Sequence, residues 1–332
     1  MAELQKALRQ VVLHKVDAEK GEGIELAARY RVQGYPTFEL VDAGGASIAR
    51  WMGYERAETI GHIERALADP IPIAERRARF ESTPTSRDAA ALAAFHKERG
   101  EFVQAVADLR AAQRLVDDPR LDYRYTLFET LALGTRAGVM PVAELQAAAD
   151  AVLSFSGHTA EQTVKVARTM LALGRYQGTP ELAARYLGDA VRETAGRSDG
   201  PIGAARRELL VEHALVVERD STRAVQLKKA SMRDGWMRHA ESLNHFAWWC
   251  FENRLNLEEA ESFARKGVEL ADAGREKANL LDTLAEICSA QGRNQEAVRH
   301  IELAMKESPE WVYLPRQLER FRKELGGEQT QQ

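Results

Sequence analysis

The chain has 332 residues, 45% hydrophobic and 29% charged, with a formal net charge of −4. That balance excludes a disordered polymer, and 46 basic residues scattered among 50 acidic ones leave no basic footprint for a nucleic acid or an anionic membrane. Two cysteines, Cys250 and Cys288, and eight histidines without His-Glu-x-x-His spacing exclude a disulfide framework and argue against a metal or other cofactor.

No apolar run approaches the roughly 18 residues that span a bilayer. The opening "MAELQKALRQVVLHKVDAEK" also lacks a long apolar core followed by a cleavage site. The chain as written is expected in the cytoplasm, with a longer, exported form left open, and its expected partners are proteins or peptides.

"VVLHKV" (11–16) is a β-branched run that predicts a strand, and "EKGEGIELAARY" places Ile24, Leu26, Ala27 and Tyr30 at helical intervals. "TFELV" and "SIARW" predict two strands joined through "DAGGA", where Gly44 and Gly45 supply the positive φ of a tight hairpin. "ERAETIGHIERALAD" returns to helical spacing through Ile60, Ile63 and Leu67.

Together "KVDAE", "ARYRVQGYPTF" and "GGASIARWMGY" resemble the later part of the thioredoxin fold. The resemblance implies that Pro36 follows a cis peptide bond and that the loop of Gly34, Tyr35, Pro36 and Thr37 faces an extended substrate. The family's Cys-x-x-Cys has no counterpart in this chain, and only the tail of its helix, "AELQKAL", is present. The strand before that helix normally lies between the strands matching 11–16 and 37–41, so a gap in the sheet centre is expected. Two explanations stand: a start placed too late, or a truncated domain stabilised by docking, with residues 89–102 as the platform. The first is favoured because the pattern of what remains is unaltered.

"DPIPIAERRARFESTPTSRD" brackets one short charged helix between prolines and is read as a linker over 70–87. From 88 onward apolar residues recur at intervals of three and four, and repetition is evident. Leu92-Ala93, Gly100, Ala105, Leu109 and Ala112 match Leu284-Ala285, Gly292, Ala297, Ile301 and Ala304 at identical intervals. A third copy aligns Ala247, Ala260 and Gly267 with Ala285, Ala297 and Ala304, offset by 38, 37 and 37 residues. This pattern resembles the tetratricopeptide repeat, in which two antiparallel helices meet through small residues. With weaker units between, about six helix pairs are expected over 88–325, closed by the amphipathic "PEWVYLPRQLERFRKELGG", with 326–332 a disordered tail.

The expected fold is therefore an α/β thioredoxin-like segment with a partial sheet (1–69) followed by an all-α tetratricopeptide-like helical solenoid. Cys250 and Cys288, three residues beyond Ala247 and Ala285, are read as core residues rather than a redox pair. In "WMRHAESLNHFAWWCF", Trp248 and Phe251 are assigned to the core, and Trp236 and Trp249 are surface candidates for binding a partner. The repeat resemblance places Asn244 on the concave, peptide-binding face. Glu258-Glu259 and Asp117-Asp118 read as solvated carboxylates with no companion base. The expected function is a protein-interaction module without catalytic residues. The rival is a thioredoxin-family thiol-disulfide oxidoreductase, serving cell redox homeostasis, whose reactive pair lies upstream of this chain and whose repeats hold its protein substrates.

Overall fold

A computed structural model describes residues 2–118 and 120–329. The chain divides into two compact units, 1–162 and 163–332. The change in composition over 70–87 is thus a change of architecture inside the first unit.

The first unit begins with α1 (Ala2–Leu8), an irregular stretch, and α2 (Glu22–Arg29). Next come β1 (Thr37–Val41) and β2 (Ser47–Met52), paired antiparallel with Phe38 opposite Trp51 and Leu40 opposite Ala49. The turn forms, but of its two glycines only Gly45 takes positive φ, at +81°, while the Asp42 carboxylate accepts from the amides of Gly44 and Ala46, both at 2.8 Å. One face of the hairpin packs on α1 and α3 (Arg56–Ala68), burying Ala7, Trp51 and Ile63, with Trp51 stacked between Phe38 and His62.

Residues 11–16 do not form the expected strand, and among the described residues the sheet has two strands only. Val12 is 98% exposed, and none of the described backbone hydrogen bonds uses residues 12–16. β-branched residues favour an extended backbone, but a strand exists only where a neighbour completes its ladder, and here none is adjacent. The stretch is nevertheless fixed at its far end. A Cβ on Gly23 would fall 2.0 Å from the carbonyl oxygen of Asp17, so only glycine lets α2 approach that backbone.

The linker helix α4 (Ile73–Ser82) is clamped by buried charge rather than held loosely. Arg76 donates to Asp69 at 2.8 Å and to Asp88 at 2.9 Å, and Arg79 donates to Asp88 at 2.9 Å and Asp69 at 2.7 Å. Arg77 forks onto Asp108 at 3.0 and 2.8 Å, and His96 shares that carboxylate. The hairpin in turn docks on α5 (Ser86–Glu98), within the platform expected from the sequence: the Met52 amide donates to Glu98 at 3.1 Å, and Gln33 reaches the Arg99 carbonyl at 3.3 Å. Helices α5 and α6 (Phe102–Arg114), then α7 (Arg124–Arg136) and α8 (Val142–Leu153), form two antiparallel pairs. Ala105 and Ala112 are fully buried, and Gly100 turns the first pair at φ +71°.

The second unit is helical among its described residues. Helix α9 (Ala160–Tyr176) straddles the division and is followed by a 3-10 turn (Pro180–Ala183) and α10 (Ala184–Glu193). Then come α11 (Gly200–His213), a π-helical turn (Ala214–Glu218), α12 (Ser221–Ser231) and a 3-10 turn (Trp236–Arg238). Helices α13 (Ala240–Glu252) with α14 (Leu257–Leu270), and α15 (Arg275–Ala290) with α16 (Asn294–Glu307), are the repeated pairs read from the sequence. Ala247, Ala260, Ala285, Ala297 and Ala304 are all fully buried where the helices meet. At Gly267 an added Cβ would lie 2.5 Å from Leu280 Cδ2, which is why the helix crossing has no room for more. Helix α17 (Tyr313–Gln329) closes the stack with Leu314, Leu318 and Phe321; it runs past the expected tail boundary at 326, and residues 330–332 lie outside the described ones. No helix among the described residues is long and apolar enough to cross a membrane.

Arg76→Met strands Asp88, a buried carboxylate, with Arg79 as its remaining cationic partner. Urea denaturation at neutral pH is expected to show a loss of about 3 kcal/mol. Combining it with Asp88→Asn should recover part of that loss, because the neutral amide no longer needs the missing charge.

Candidate functional site

The outer edge of β1 borders an open, mostly apolar cleft of about 730 Å³. Leu13 and Val16 of the irregular stretch, Leu26 of α2, and Pro36, Phe38 and Val41 of the loop and strand contribute to its walls. The Tyr35–Pro36 peptide is cis, as the resemblance implied. Thr37 Oγ1 donates to the Gly34 carbonyl at 2.6 Å and Gly53 N donates to the Pro36 carbonyl at 2.8 Å, so the loop is closed onto β2. Tyr35 is 64% exposed at the rim. The four expected loop residues are therefore contiguous, and three of them, Tyr35, Pro36 and Thr37, line the cleft.

The cleft keeps its shape through Arg50. This buried guanidinium donates to the Glu39 carboxylate at 3.0 Å and the Arg31 carbonyl at 3.0 Å, and also reaches the carbonyl of Tyr30, joining the end of α2 to the hairpin. Burial raises the Glu39 pKa, with Ser47 and Arg50 hydrogen bonds and the Arg50 charge working against that rise. Among the described residues β1 pairs with β2 alone, so its outer backbone groups have no strand partner. An unpaired edge beside apolar walls is suited to an extended peptide, whose backbone completes the ladder while alternate side chains enter the cleft.

The second unit places its site residues differently from the sequence expectation. Trp236 and Trp249 are 8% and 9% exposed and belong to the core, not the surface. The 3-10 turn folds Trp236 back onto Phe246 and Phe263, at ring separations of 5.3 and 5.2 Å, and Trp249 closes the same aromatic cluster with Lys228 Nζ over its ring. Trp248 and Phe251 are half-buried. Helical spacing alone could not rank these rings, because the turn before α13 decides which side is covered.

Asn244 is buried, yet it borders a cavity of about 400 Å³ with Glu241, His245, Arg275 and Asn279, and its Oδ1 has no hydrogen-bond partner. Asp282, 38 positions on, is its counterpart in the next repeat and was not singled out by sequence reasoning. Asp282 is 5% exposed, its Oδ1 is also unpartnered, and burial, with Glu286 nearby, pushes its pKa up to about 7. Glu286 itself accepts from Gln317 at 2.9 Å and from Arg320. The signal that finds Asp282 is the repeat register carried forward from Asn244.

Neither cysteine is a poised nucleophile. Both are free and buried, and burial pushes the thiol of Cys250 up to about 12 and that of Cys288 up to about 11. Solved structures similar to the chain include a chain of the APC/C hetero-tetramer Cut9–Hcn1 (13% identity, TM-score 0.38, covering 74% of this chain and 45% of that one). Others are yeast Tom70 (14%, TM-score 0.40, 82% and 54%) and PilF of Pseudomonas aeruginosa (15%, TM-score 0.38, 74% and 99%). The chain thus spans about half the length of the Cut9–Hcn1 and Tom70 chains that it matches. No family profile and no curated protein matches the chain.

A thiol reagent at neutral pH is expected to label neither cysteine of the native chain in the time that labels both in denaturant; rapid native labelling would contradict their burial. Asp282→Asn provides a second check. The folded pKa of Asp282 lies above its unfolded value, so its contribution is fully present below about pH 4 and is lost as pH rises through about 7. The variant should therefore be more stable than the parent above pH 7, by about 4 kcal/mol, and the difference should shrink towards pH 4.

Proposed function

We propose that the chain is a protein-interaction module that holds an extended segment of a partner protein against the outer edge of β1, in the cleft rimmed by Tyr35 and Pro36. The observation that carries this reading is the unpaired edge of β1 beside apolar walls. Thioredoxin-like character of residues 1–69 is part of the proposal; it rests on the resemblance of "ARYRVQGYPTF" and "GGASIARWMGY" and on the hairpin packed on α3. The helix pairs, tetratricopeptide-like in their 37- and 38-residue offsets, add a second surface around Asn244. An oxidoreductase reading needs a reactive cysteine pair, which Cys250 and Cys288 do not supply. The function proposed for this chain is binding without thiol chemistry.

Selection of a phage-displayed peptide library on the full chain tests this reading. The expected winners carry alternating apolar residues, slow amide hydrogen exchange within Thr37–Val41, and bind about tenfold more weakly to Leu13→Asp, a substitution at an exposed wall position. Peptides that protect only the second unit would contradict the cleft assignment. Turnover in an insulin-reduction assay would contradict the absence of thiol chemistry.

A further inference from the structure

Between α15 and α16, Cys288, Glu296 and His300 present one sulfur, one oxygen and one nitrogen ligand atom, all within 4.8 Å of one another. Glu296 and His300 are four residues apart on α16, which puts both side chains on one helix face, and that face meets Cys288 on α15. His300 Nδ1 is buried and has no hydrogen-bond partner among the described residues. No described hydrogen bond uses the Cys288 sulfur. Arg293 and Arg265 both donate to Oε2 of Glu296, at 3.0 and 3.4 Å, and no described bond uses its Oε1.

The preceding repeat supplies an internal comparison. At the same offsets, 38 on the first helix and 37 on the second, it carries Cys250, Glu259 and Phe263. There the third residue is an aromatic side chain packed on Trp236 and Phe246, and Lys229 holds the glutamate at 2.6 Å. The scaffold therefore accepts phenylalanine at this place, and the last repeat has a nitrogen ligand instead.

We propose that Cys288, Glu296 and His300 bind a divalent metal ion of the zinc class, with water in the fourth position. Mixed sulfur, nitrogen and carboxylate donors suit zinc, which takes tetrahedral sites with bonds of about 2.0–2.3 Å. On binding, the S–H bond of Cys288 breaks, a sulfur–metal bond forms and the proton passes to solvent. Arg293 and Arg265 act as the outer layer that orients the ligating carboxylate. Glu296 is partly exposed and gives the ion its way in. The ligand atoms need to close by roughly 1 Å from their present spacing, within the reach of side-chain rotation.

Titrating the chelator-treated full chain with Co²⁺ tests the site. The expected result is a thiolate-to-cobalt charge-transfer band with tetrahedral d–d bands that saturates at one equivalent. Cys288→Ser and His300→Phe should lose that band, and Cys250→Ser should keep it. Zn²⁺ should displace the cobalt and raise the melting temperature of the parent chain but not of His300→Phe. Should His300→Phe fail to fold by circular dichroism, Glu296→Gln, at the exposed end of the site, takes its place with weakened cobalt binding expected. No thiolate band in the parent chain, or a band that survives Cys288→Ser, overturns the proposal.

Discussion

A sheet of two strands cannot hold a cleft open by hydrogen bonding alone, and in this protein a single buried guanidinium supplies the missing restraint. Arg50 lies inside the first unit with its donors on Glu39 and on the last carbonyls around α2. A charge in that position is tolerated because a carboxylate and backbone oxygens replace its water. Its effect is to tie β1 and β2 to α2 at a fixed separation. Gly23 performs the matching task on the other wall, letting the backbone at Asp17 touch α2.

In the second unit the governing constraint is size. Alanines at the helix crossings let backbones approach, and the same small residues recur because each pair repeats the contact of the one before. Repetition also makes differences informative. Where two repeats differ at equivalent places, as Phe263 and His300 do, the shared packing does not by itself fix the choice.

Much of this was legible in the sequence. The hairpin was marked by Asp42, Gly44 and Gly45, and the helix pairs by alanine and glycine at fixed intervals. These are local signals, set by backbone geometry and near neighbours. The failures at residues 11–16, Trp236 and Trp249 share one cause. Whether a β-branched run is a strand, or which tryptophan is covered, depends on segments distant in sequence or on an intervening turn. Asp282 was missed for a different reason, since a lone aspartate on a helix looks solvated until the register of its repeat shows which way it points.

The clamp around α4 also determines how the first unit responds to its surroundings. Three guanidinium groups, Arg76, Arg77 and Arg79, meet three carboxylates, Asp69, Asp88 and Asp108, one of which His96 shares. Acid weakens these pairs. Burial works to raise the pKa of Asp88 and Asp108, but the arginines, with His96 at Asp108, hold both carboxyls below their ordinary range; at Asp69 the Arg79 hydrogen bond leads the same effect. Their stabilisation is present above the unfolded carboxyl pKa and disappears as pH falls through the lower folded values. The joint between the hairpin and the helix pairs is therefore a part that acidification releases.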